Sequence, residues 1–429
     1  MAADAKWFPT PFGEVGRPQE DLSKLSYDDS QDSLFESDDA DFELPEETAA
    51  DELLTVWDMG ASKQELEEYL LRHIWIRKKG TFTPTPFGAL LRKRKAQRRY
   101  LKFLINLMST PGPKRVAVLK GRQVGISTAT LAFFLYLLQR LEWNALLVTH
   151  SEDSAVWLMQ SLKEMYDRLP PDKKQPLQYN LKNALIWGES KRARRTGGTL
   201  GHMASFRCRT AKGAYVGSGG STSLIQLSEA AKYDTVGDLV EQMQFILSIL
   251  QSCPKNAASL VVAEFTANGA QGWAHETWQH AVSKTTGHDD LRWIPYFVSW
   301  VEDESCRRPV PKNYKWSDWD HEDFDKEKLI LSHSLNCGNT LDEALQNLFF
   351  RRVLIESEMG RDYDLFDQEY PVTPGLAWLL SGRQVFSRKL LLPQEVFIRE
   401  PLYRMSVEAI DDEAPTTSTE WGTDAPAKD

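Results

Sequence analysis

The sequence has few cysteines, no signal peptide and no apolar run long enough to cross a membrane. Its four cysteines lie far apart, without the close pairs that make zinc sites or redox motifs. The longest apolar run, residues 131–138, is less than half of the ~20 residues that a membrane-spanning helix needs. The first residues lack a basic start followed by an apolar stretch. These absences predict free thiols in a reducing cytoplasm, and neither secretion nor membrane insertion.

The charge is distributed unevenly along the 429 residues. Residues 20–52 hold fourteen Asp or Glu and one Lys, a net of −13, and subtracting it from the total of −10 leaves +3 for the rest. An acidic total argues against a nucleic-acid partner, but a mildly basic body does not. Two basic clusters, residues 92–99 and 191–195, have the charge to face a phosphate backbone. A solvated protein surface is the alternative for each cluster.

Composition and periodicity divide the chain into five parts. Residues 1–50 are acidic and without periodicity, which predicts a disordered arm. A helical region is expected over 51–110, including one basic amphipathic helix from Leu90 to Met108. Residues 111–290 alternate strands and helices, which predicts an α/β domain with a parallel sheet flanked by helices. A lid or linker subdomain over 291–390 and a loose tail over 391–429 complete the prediction.

A predicted strand, residues 116–119, runs into the loop Lys-Gly-Arg-Gln-Val-Gly-Ile-Ser-Thr, residues 120–128. A strand, a glycine-containing loop and a helix start together form a phosphate-binding geometry. The standard loop G-x-x-x-x-G-K-[ST] places its lysine where this chain has Ile126. With Gly125 as the second glycine, Ser127 falls at the Mg²⁺-ligating hydroxyl. Lys120, at the start of the loop, is then expected to swing back towards the β and γ phosphates of ATP.

About a hundred residues later, a strand over residues 223–227 ends in Ser228 and Glu229. An ATPase needs a carboxylate beside the γ phosphate to hold Mg²⁺ and to deprotonate the attacking water. Most such enzymes have Asp-Glu at this place, whereas this chain has Ser-Glu. We therefore predict Glu229 as the catalytic acid and, with Ser127, as a metal ligand. A surface glutamate after a strand is the alternative.

A third predicted strand, residues 260–264, leads into Phe-Thr-Ala-Asn-Gly, residues 265–269. Thr266 and Asn268 follow the carboxyl end of this strand, where ligands bind in such sheets. They are predicted to sense the γ phosphate.

Gln97 lies 23 residues before Lys120 in a predicted helix. Its amide can pair with adenine through one donor and one acceptor, although a solvated helix glutamine is nearly as probable.

These motifs resemble the large subunits of tailed-phage terminases, which carry K-x-R-Q-x-G-x-S loops. The resemblance covers roughly residues 90–390 and includes Phe-Asp-Gln-Glu-Tyr-Pro over 366–371 and a Ser-Gly-containing stretch over 381–386. It implies a P-loop NTPase fold of the RecA/ASCE type with a small C-terminal linker. It also implies that Lys120 and Arg122 contact the phosphates of ATP. The remaining nucleotide-binding positions implied for the loop are Gly121, Gln123, Gly125, Ser127 and Thr128.

The resemblance implies a motor that couples ATP hydrolysis, with Mg²⁺ as cofactor, to movement of double-stranded DNA into a procapsid. The implied partners are the portal protein, the small terminase subunit and further copies of the chain in a ring, a pentamer in the family. The implied location is the host cytoplasm, transiently at the procapsid portal. One arginine between Arg192 and Arg209 is expected to reach the neighbouring subunit's site. Only 43 residues follow Phe386, too few for the nuclease domain that usually follows, so endonuclease activity is not expected.

Two other functions remain open from the residues. A superfamily 2 helicase-like translocase shares the sheet, but it needs a second RecA-like domain, and no further phosphate loop follows residue 289. A non-catalytic DNA-binding scaffold with a P-loop fold is favoured by Ile126 and Ser228, which depart from the usual motifs. Measuring ATP turnover with and without linear duplex DNA distinguishes these functions.

Overall fold

A computed structural model of the chain describes residues 54–77, 83–188, 202–211, 220–283, 291–316 and 323–378. The predicted acidic arm, the basic cluster at 191–195 and the predicted tail lie outside the described residues. The glycine-rich stretch Gly213–Gly220, except its last residue, and the Ser-Gly stretch at 381–386 also lie outside the described residues.

The centre of the fold is an eight-stranded sheet, and a separate two-stranded ribbon precedes it. The ribbon consists of β1 (Trp75–Arg77) and β2 (Pro84–Pro86). The sheet consists of β3 (Pro113–Lys120), β4 (Asn144–Thr149), β5 (Leu177–Leu181), β6 (Ala184–Trp187), β7 (Ser205–Thr210), β8 (Leu224–Ser228), β9 (Ser259–Phe265) and β10 (Trp293–Val298). Their order is β10-β3-β9-β8-β4-β7-β6-β5, and the first six strands are parallel. The last two strands, β6 and β5, add to one edge in antiparallel fashion.

The described helices cover both faces of the sheet. They are α1 (Lys63–Glu68), α2 (Phe87–Leu91), α3 (Lys95–Leu107), α4 (Ile126–Arg140), α5 (Glu152–Asp167), α6 (Leu239–Leu250), α7 (Trp273–Val282), α8 (Phe324–Asn336), α9 (Leu341–Ser357), α10 (Tyr363–Glu369) and α11 (Pro374–Ala377). Parallel strands buried on both faces are rich in Val, Leu and Ile, as β3, β8 and β9 are. Alternate side chains therefore enter two cores, one shared with α3, α4 and α5 and the other with α6 and α7. The predicted α/β class, a parallel sheet flanked by helices, is confirmed.

The predicted helix from Leu90 to Met108 is interrupted in the structure. The chain forms α2, turns, and begins again at α3 after Arg94, whose backbone is extended. Leu90 and Leu91 are buried, whereas the run Arg92–Arg94 offers no apolar side chain to bury. A helix continued through this run would gain no packing there, so the turn falls at the basic residues.

The predicted boundary between the ATPase core and the linker, after residue 290, is one strand too early. Residues Trp293–Val298 form β10, which pairs in parallel with β3 along its whole length. The mixed aromatic and charged composition of this segment hid the strand, since the strand lies at a sheet edge and is only half-buried. The helices α8, α9 and α10 follow and enclose a third core, which includes Trp300, Leu348 and Phe366.

Candidate functional site

The loop predicted to bind phosphate joins β3 to α4. Lys120 is the last residue of β3, and α4 begins at Ile126. Gly125, just before α4, has a φ of 75°, a left-handed conformation that favours glycine. A side chain at Gly125 would also collide with Gln97, whose Nε2 would lie 1.9 Å from the added carbon. The turn into α4 therefore depends on glycine at position 125.

Three charged side chains meet at the carboxyl edge of the sheet, beside this loop. Lys120 Nζ lies 2.8 Å from Glu229 Oε1 and 4.0 Å from Glu264 Oε2. These residues end or follow three neighbouring strands, β3, β8 and β9, with β9 in the middle. The Lys120 side chain is 5% exposed, that of Glu229 is 22% exposed, and that of Glu264 is not exposed. The structure thus brings the predicted cation and the predicted acid together, and adds a second carboxylate.

The electrostatics of these groups follow from burial and from one another. Burial disfavours the charged form of Glu229, but Lys120 and Lys232 outweigh burial and lower the pKa of this carboxyl to about 2. Burial also opposes the charge of Lys120, yet the two carboxylates raise its pKa. Glu264 differs, because burial dominates and raises its pKa. Glu229 is therefore the ionised partner of Lys120, while Glu264 carries the larger cost of burial.

Glu229 has an unusual backbone conformation for a non-glycine residue. Its φ is 54°, in the left-handed region, which costs an L-residue about 1–2 kcal/mol. Tyr233, in the segment that follows, is buried and donates a hydrogen bond to the carbonyl of Val148 at 2.9 Å. Such strain persists where the surroundings hold it, and it occurs often at functional sites.

Glu264 and Gln226 were missed by the sequence analysis as site residues. Glu264 Oε2 accepts a hydrogen bond from Ser127 Oγ at 2.8 Å, and its Oε1 accepts one from Gln226 Nε2 at 2.7 Å. Gln226 Nε2 also lies 3.4 Å from the carbonyl oxygen of Ser127. The signal was present, since each is a polar residue directly between two apolar residues of its strand. Fully buried polar side chains in such strands are informative because they need partners.

The loop residues after Lys120 contact the C-terminal part of the described chain. Gly121 donates from its backbone to the carbonyl of Val298 at 3.2 Å. Arg122 donates from its backbone to the carbonyl of Glu369 at 2.8 Å, and its Nη1 lies 3.4 Å from Glu369 Oε2. The Arg122 side chain is half-exposed, so it is accessible to a ligand. The motif at residues 366–371 thus lies directly against the phosphate loop.

Of the other predicted loop residues, Gln123 is exposed and has a φ of 62°, whereas Ser127 and Thr128 are half-buried in the first turn of α4. Ile126, which occupies the usual lysine position, is completely buried in the core shared by α3 and α4. An apolar residue packed there explains why the cation has to come from another position.

The segment predicted to sense phosphate connects two parts of the site. Asn268 Nδ2 donates to the carbonyl of Ala231 at 3.2 Å, two residues after Glu229. Gln368 Nε2 donates to the carbonyl of Ala267 at 3.0 Å. Thr266 is buried beside them. This segment is therefore hydrogen-bonded both to the residues that follow Glu229 and to the 366–371 motif.

Gln97 lies in α3 directly under the phosphate loop. It is 1% exposed, and its Nε2 donates to the carbonyl of Val124 at 3.2 Å. Its Oε1 is buried without a hydrogen-bond partner among the described residues. The predicted adenine-reading glutamine is thus next to the loop, with its acceptor unused and its donor bonded to the loop backbone.

The basic cluster at 92–99 is partly used within the protein. Lys95 Nζ donates to the carbonyl of Gly338 at 2.8 Å. Arg99 Nη2 donates to the carbonyl of Phe297 at 2.9 Å and lies 2.7 Å from Glu302 Oε1. These two side chains support the fold, which leaves Arg92 and Lys93 as the exposed cations of the turn.

Of the predicted trans-acting arginines, Arg207 and Arg209 are exposed on β7, and Arg192, Arg194 and Arg195 lie outside the described residues.

The residues present fit a magnesium nucleotide site. Mg²⁺ is bound by one or two carboxylates together with hydroxyls, waters and substrate phosphates. Ser127 and Glu264 supply a hydroxyl and a carboxylate oxygen within 2.8 Å of each other. The described ranges contain no group of three or more His, Cys, Asp or Glu that holds a metal by itself.

No protein-family model matches the chain, and no curated protein matches it in sequence. No helix among the described residues is long and apolar enough to span a membrane.

Several solved structures are similar to the chain, among them the following three. The large terminase ATPase domain of Thermus phage P74-26 is 14% identical, with 62% of this chain and 91% of that chain covered and a TM-score of 0.37. The large terminase of bacteriophage HK97 is 12% identical over 66% of this chain and 54% of that chain, with a TM-score of 0.36. A large terminase of a thermophilic bacteriophage, solved with ADP, is 11% identical over 51% of this chain and 47% of that chain, with a TM-score of 0.36. All three are bacteriophage large terminases, the family that the Lys120 loop resembles in sequence.

Proposed function

We propose that this chain is an ATPase, and that it is the motor of a phage DNA-packaging enzyme of the large-terminase type. One observation carries the ATPase proposal: Lys120 and Glu229, 109 residues apart in sequence, lie 2.8 Å apart at the carboxyl edge of a parallel sheet. The glycine turn and Ser127 stand beside them. A cation, a general base and a helix start at one strand edge are the parts that phosphoryl transfer to water requires.

The chemistry assigns a separate task to each side chain. Lys120, Arg122 and the amides of the loop hold the β and γ phosphates of ATP. Glu229 accepts a proton from water as the water oxygen bonds to the γ phosphorus. The bond between that phosphorus and the bridging oxygen breaks, and ADP and phosphate leave. Mg²⁺, when bound, neutralises the negative charge of the phosphates.

The ion pair between Lys120 and Glu229 has to open before this reaction. A carboxyl with a pKa of about 2 is a weak base, and Lys120 holds it there. The phosphates of ATP compete with Glu229 for Lys120. Once Lys120 turns to the phosphates, the pKa of Glu229 rises and the carboxylate becomes a better base. Nucleotide binding thereby activates the catalytic residue.

The motor role extends this ATPase to partners. Thr266 and Asn268 couple hydrolysis to movement, since Asn268 bonds to the segment after Glu229. Double-stranded DNA is the proposed cargo, with the portal protein, the small terminase subunit and a ring of copies of this chain as the assembly. The proposed place is the host cytoplasm and the procapsid portal.

One observation favours a second function, a non-catalytic DNA-binding scaffold. Ile126 is buried where the usual loop has lysine, and Ser228 stands where an aspartate is usual. The pairing of Lys120 with Glu229 argues against this alternative, because it retains both charges that hydrolysis needs.

The test is steady-state ATP turnover by the full chain, with and without linear duplex DNA. The motor proposal expects turnover that depends on Lys120 and increases when linear duplex is added. Nucleotide binding without turnover in either condition would overturn the ATPase proposal and favour the scaffold. Turnover that responds to single-stranded DNA and not to duplex would favour a helicase-like translocase.

A further inference from the structure

The strand that supplies the proposed base lacks a second carboxylate. ATPases with a phosphate loop commonly hold Mg²⁺ with the loop hydroxyl and an aspartate at the end of a neighbouring strand. In this chain the residue before Glu229 is Ser228, which is 3% exposed and carries no charge. If Glu229 acts on water, the metal side of the site has no carboxylate from β8.

The neighbouring strand, β9, supplies a carboxylate at the same level of the sheet. Glu264 of β9 pairs in register with Ser228 of β8. Paired residues of adjacent strands point to the same face, and the strands are about 4.8 Å apart. The carboxylate that is usual at the end of β8 is therefore found on the adjacent strand, β9, which lies nearer to β3 and the phosphate loop.

The contacts of Glu264 point to the metal position of the loop. Its Oε2 accepts from Ser127 Oγ at 2.8 Å, and Ser127 is the hydroxyl of the loop that ligates magnesium in the resembling motif. Its Oε1 accepts from Gln226 Nε2 at 2.7 Å, which fixes the orientation of the carboxylate. Second contacts of this kind are typical of side chains that ligate metals.

The charge balance around Glu264 is incomplete. It is 0% exposed, and its ion pair among the described residues is with Lys120 at 4.0 Å. Lys120 is shared with Glu229, which it contacts at 2.8 Å. Glu229 has a further cation, Lys232, at 3.5 Å, whereas Glu264 has no further cation within ion-pair distance in the described part of the chain. A buried carboxylate without its own cation is costly, and a divalent ion remedies this cost.

We propose that Glu264 is the metal-side carboxylate of the nucleotide site, so that Ser127 and Glu264 hold the magnesium ion of ATP while Glu229 acts on water. This inference rests on the proposed ATPase function. The metal-binding role and the base role of the usual Asp-Glu pair are then assigned to residues of two different strands, β9 and β8.

The experiment measures metal binding directly, without turnover. Manganese binding to the full chain is followed by electron paramagnetic resonance in the presence of a non-hydrolysable ATP analogue. Glu264→Gln keeps the size of the side chain and removes its negative charge. We expect it to weaken Mn²⁺ binding at least about tenfold, while binding of the analogue in EDTA changes less than about twofold. Glu164→Gln, whose carboxylate pairs with Arg77 at 2.6 Å near the end of α5, is the matched control and should leave both unchanged.

A rescue variant tests the placement. Ser228→Asp in the Glu264→Gln background returns a carboxylate to β8, and should recover at least half of the lost Mn²⁺ affinity on a logarithmic scale. Unchanged Mn²⁺ affinity in Glu264→Gln overturns the inference and leaves the ATPase proposal intact. If the wild type binds no nucleotide, the ATPase proposal itself fails.

Should Glu264→Gln not fold, Glu264→Asp decides. It keeps the charge but withdraws it by one methylene, so Mn²⁺ binding should weaken at least threefold, with metal-free binding of the analogue unchanged. Equal Mn²⁺ affinity in this variant and the wild type also overturns the inference.

Discussion

Lys120 Nζ lies 2.8 Å from Glu229 Oε1, so the proposed phosphate-binding cation and the proposed catalytic base neutralise each other. Both side chains are largely buried, which strengthens the interaction. In the proposed mechanism, the phosphates of ATP have to displace Glu229 from Lys120. The predictions that follow depend on this relationship.

Lys120→Ala should reduce ATP turnover by about 100-fold or more, because the loop loses its phosphate-binding cation. Steady-state phosphate release measures the effect, and circular dichroism checks the fold. Lys114→Ala is the matched control, since Lys114 lies at the other end of β3 and donates to the carbonyl of Pro111 at 2.7 Å. Equal turnover in Lys120→Ala and the wild type contradicts the assignment.

A lysine at the usual position should not rescue that variant. Ile126 is 0% exposed, so Ile126→Lys places a charge in the core. We expect the Lys120→Ala/Ile126→Lys protein to remain inactive and to unfold at a lower temperature than Lys120→Ala. Restored turnover would show that position 126 reaches the phosphates after all.

Glu229→Gln should slow turnover by at least about 100-fold, the lower end of what a positioned base contributes. It should bind ATP as tightly as the wild type or more tightly, since Lys120 is released from its ion pair. Calorimetric titration with ATP and Mg²⁺ measures the binding. Glu358→Gln, an exposed glutamate, is the control. Loss of ATP binding in Glu229→Gln would assign this residue to the metal or to the fold.

The same pair predicts a pH dependence of stability. The pKa of Glu229 is lowered from 4.5 to about 2, so its ionised form stabilises the folded chain above pH 4.5. This contribution is lost as the pH falls from 4.5 towards about 2. Glu229→Gln should therefore lower the unfolding temperature at pH 7, and its difference from the wild type should shrink in acid. A difference that stays constant from pH 7 to pH 3 contradicts the ion pair.

Asn268→Ala should impair the response of the site to DNA. It removes the hydrogen bond to the carbonyl of Ala231, which at ~1.4 kcal/mol corresponds to about a tenfold change in rate. We expect DNA-stimulated turnover to fall about tenfold, with ATP affinity within twofold of the wild type. Asn256→Ala, at an exposed loop position before β9, is the control. A change in ATP affinity alone would place Asn268 in binding and not in coupling.

Deleting residues 1–50 should tighten non-specific DNA binding by the isolated chain. Residues 20–52 carry a net charge of −13, and acidic sequence repels the phosphate backbone. Fluorescence anisotropy with labelled duplex, repeated at several salt concentrations, measures this effect, which should diminish as salt rises. Weaker DNA binding at every salt concentration would mean that the arm contributes to gripping DNA.

The amino-acid sequence by itself determined the central strands β3, β4, β8 and β9, the loop and their order along the chain. The apolar runs of β3, β4, β8 and β9 and the glycine before α4 are local signals, because burial on both faces and a left-handed turn each require particular residue types. Lys120 and Glu229 were identifiable for the same reason, since each stands at the end of such a run.

Only the tertiary structure decided which residues meet. The position of β9 between β3 and β8 depends on non-local strand pairing, which no local pattern encodes. That position brings Glu264 to Ser127, 137 residues earlier in the chain. It likewise decided that β10 belongs to the sheet, and that Arg99 bonds to Phe297 and Glu302 within the fold. Contacts between distant segments arise from the packing of whole elements. The positions on which the separate proposed roles of Glu229 and Glu264 depend are therefore set only when the sheet is assembled.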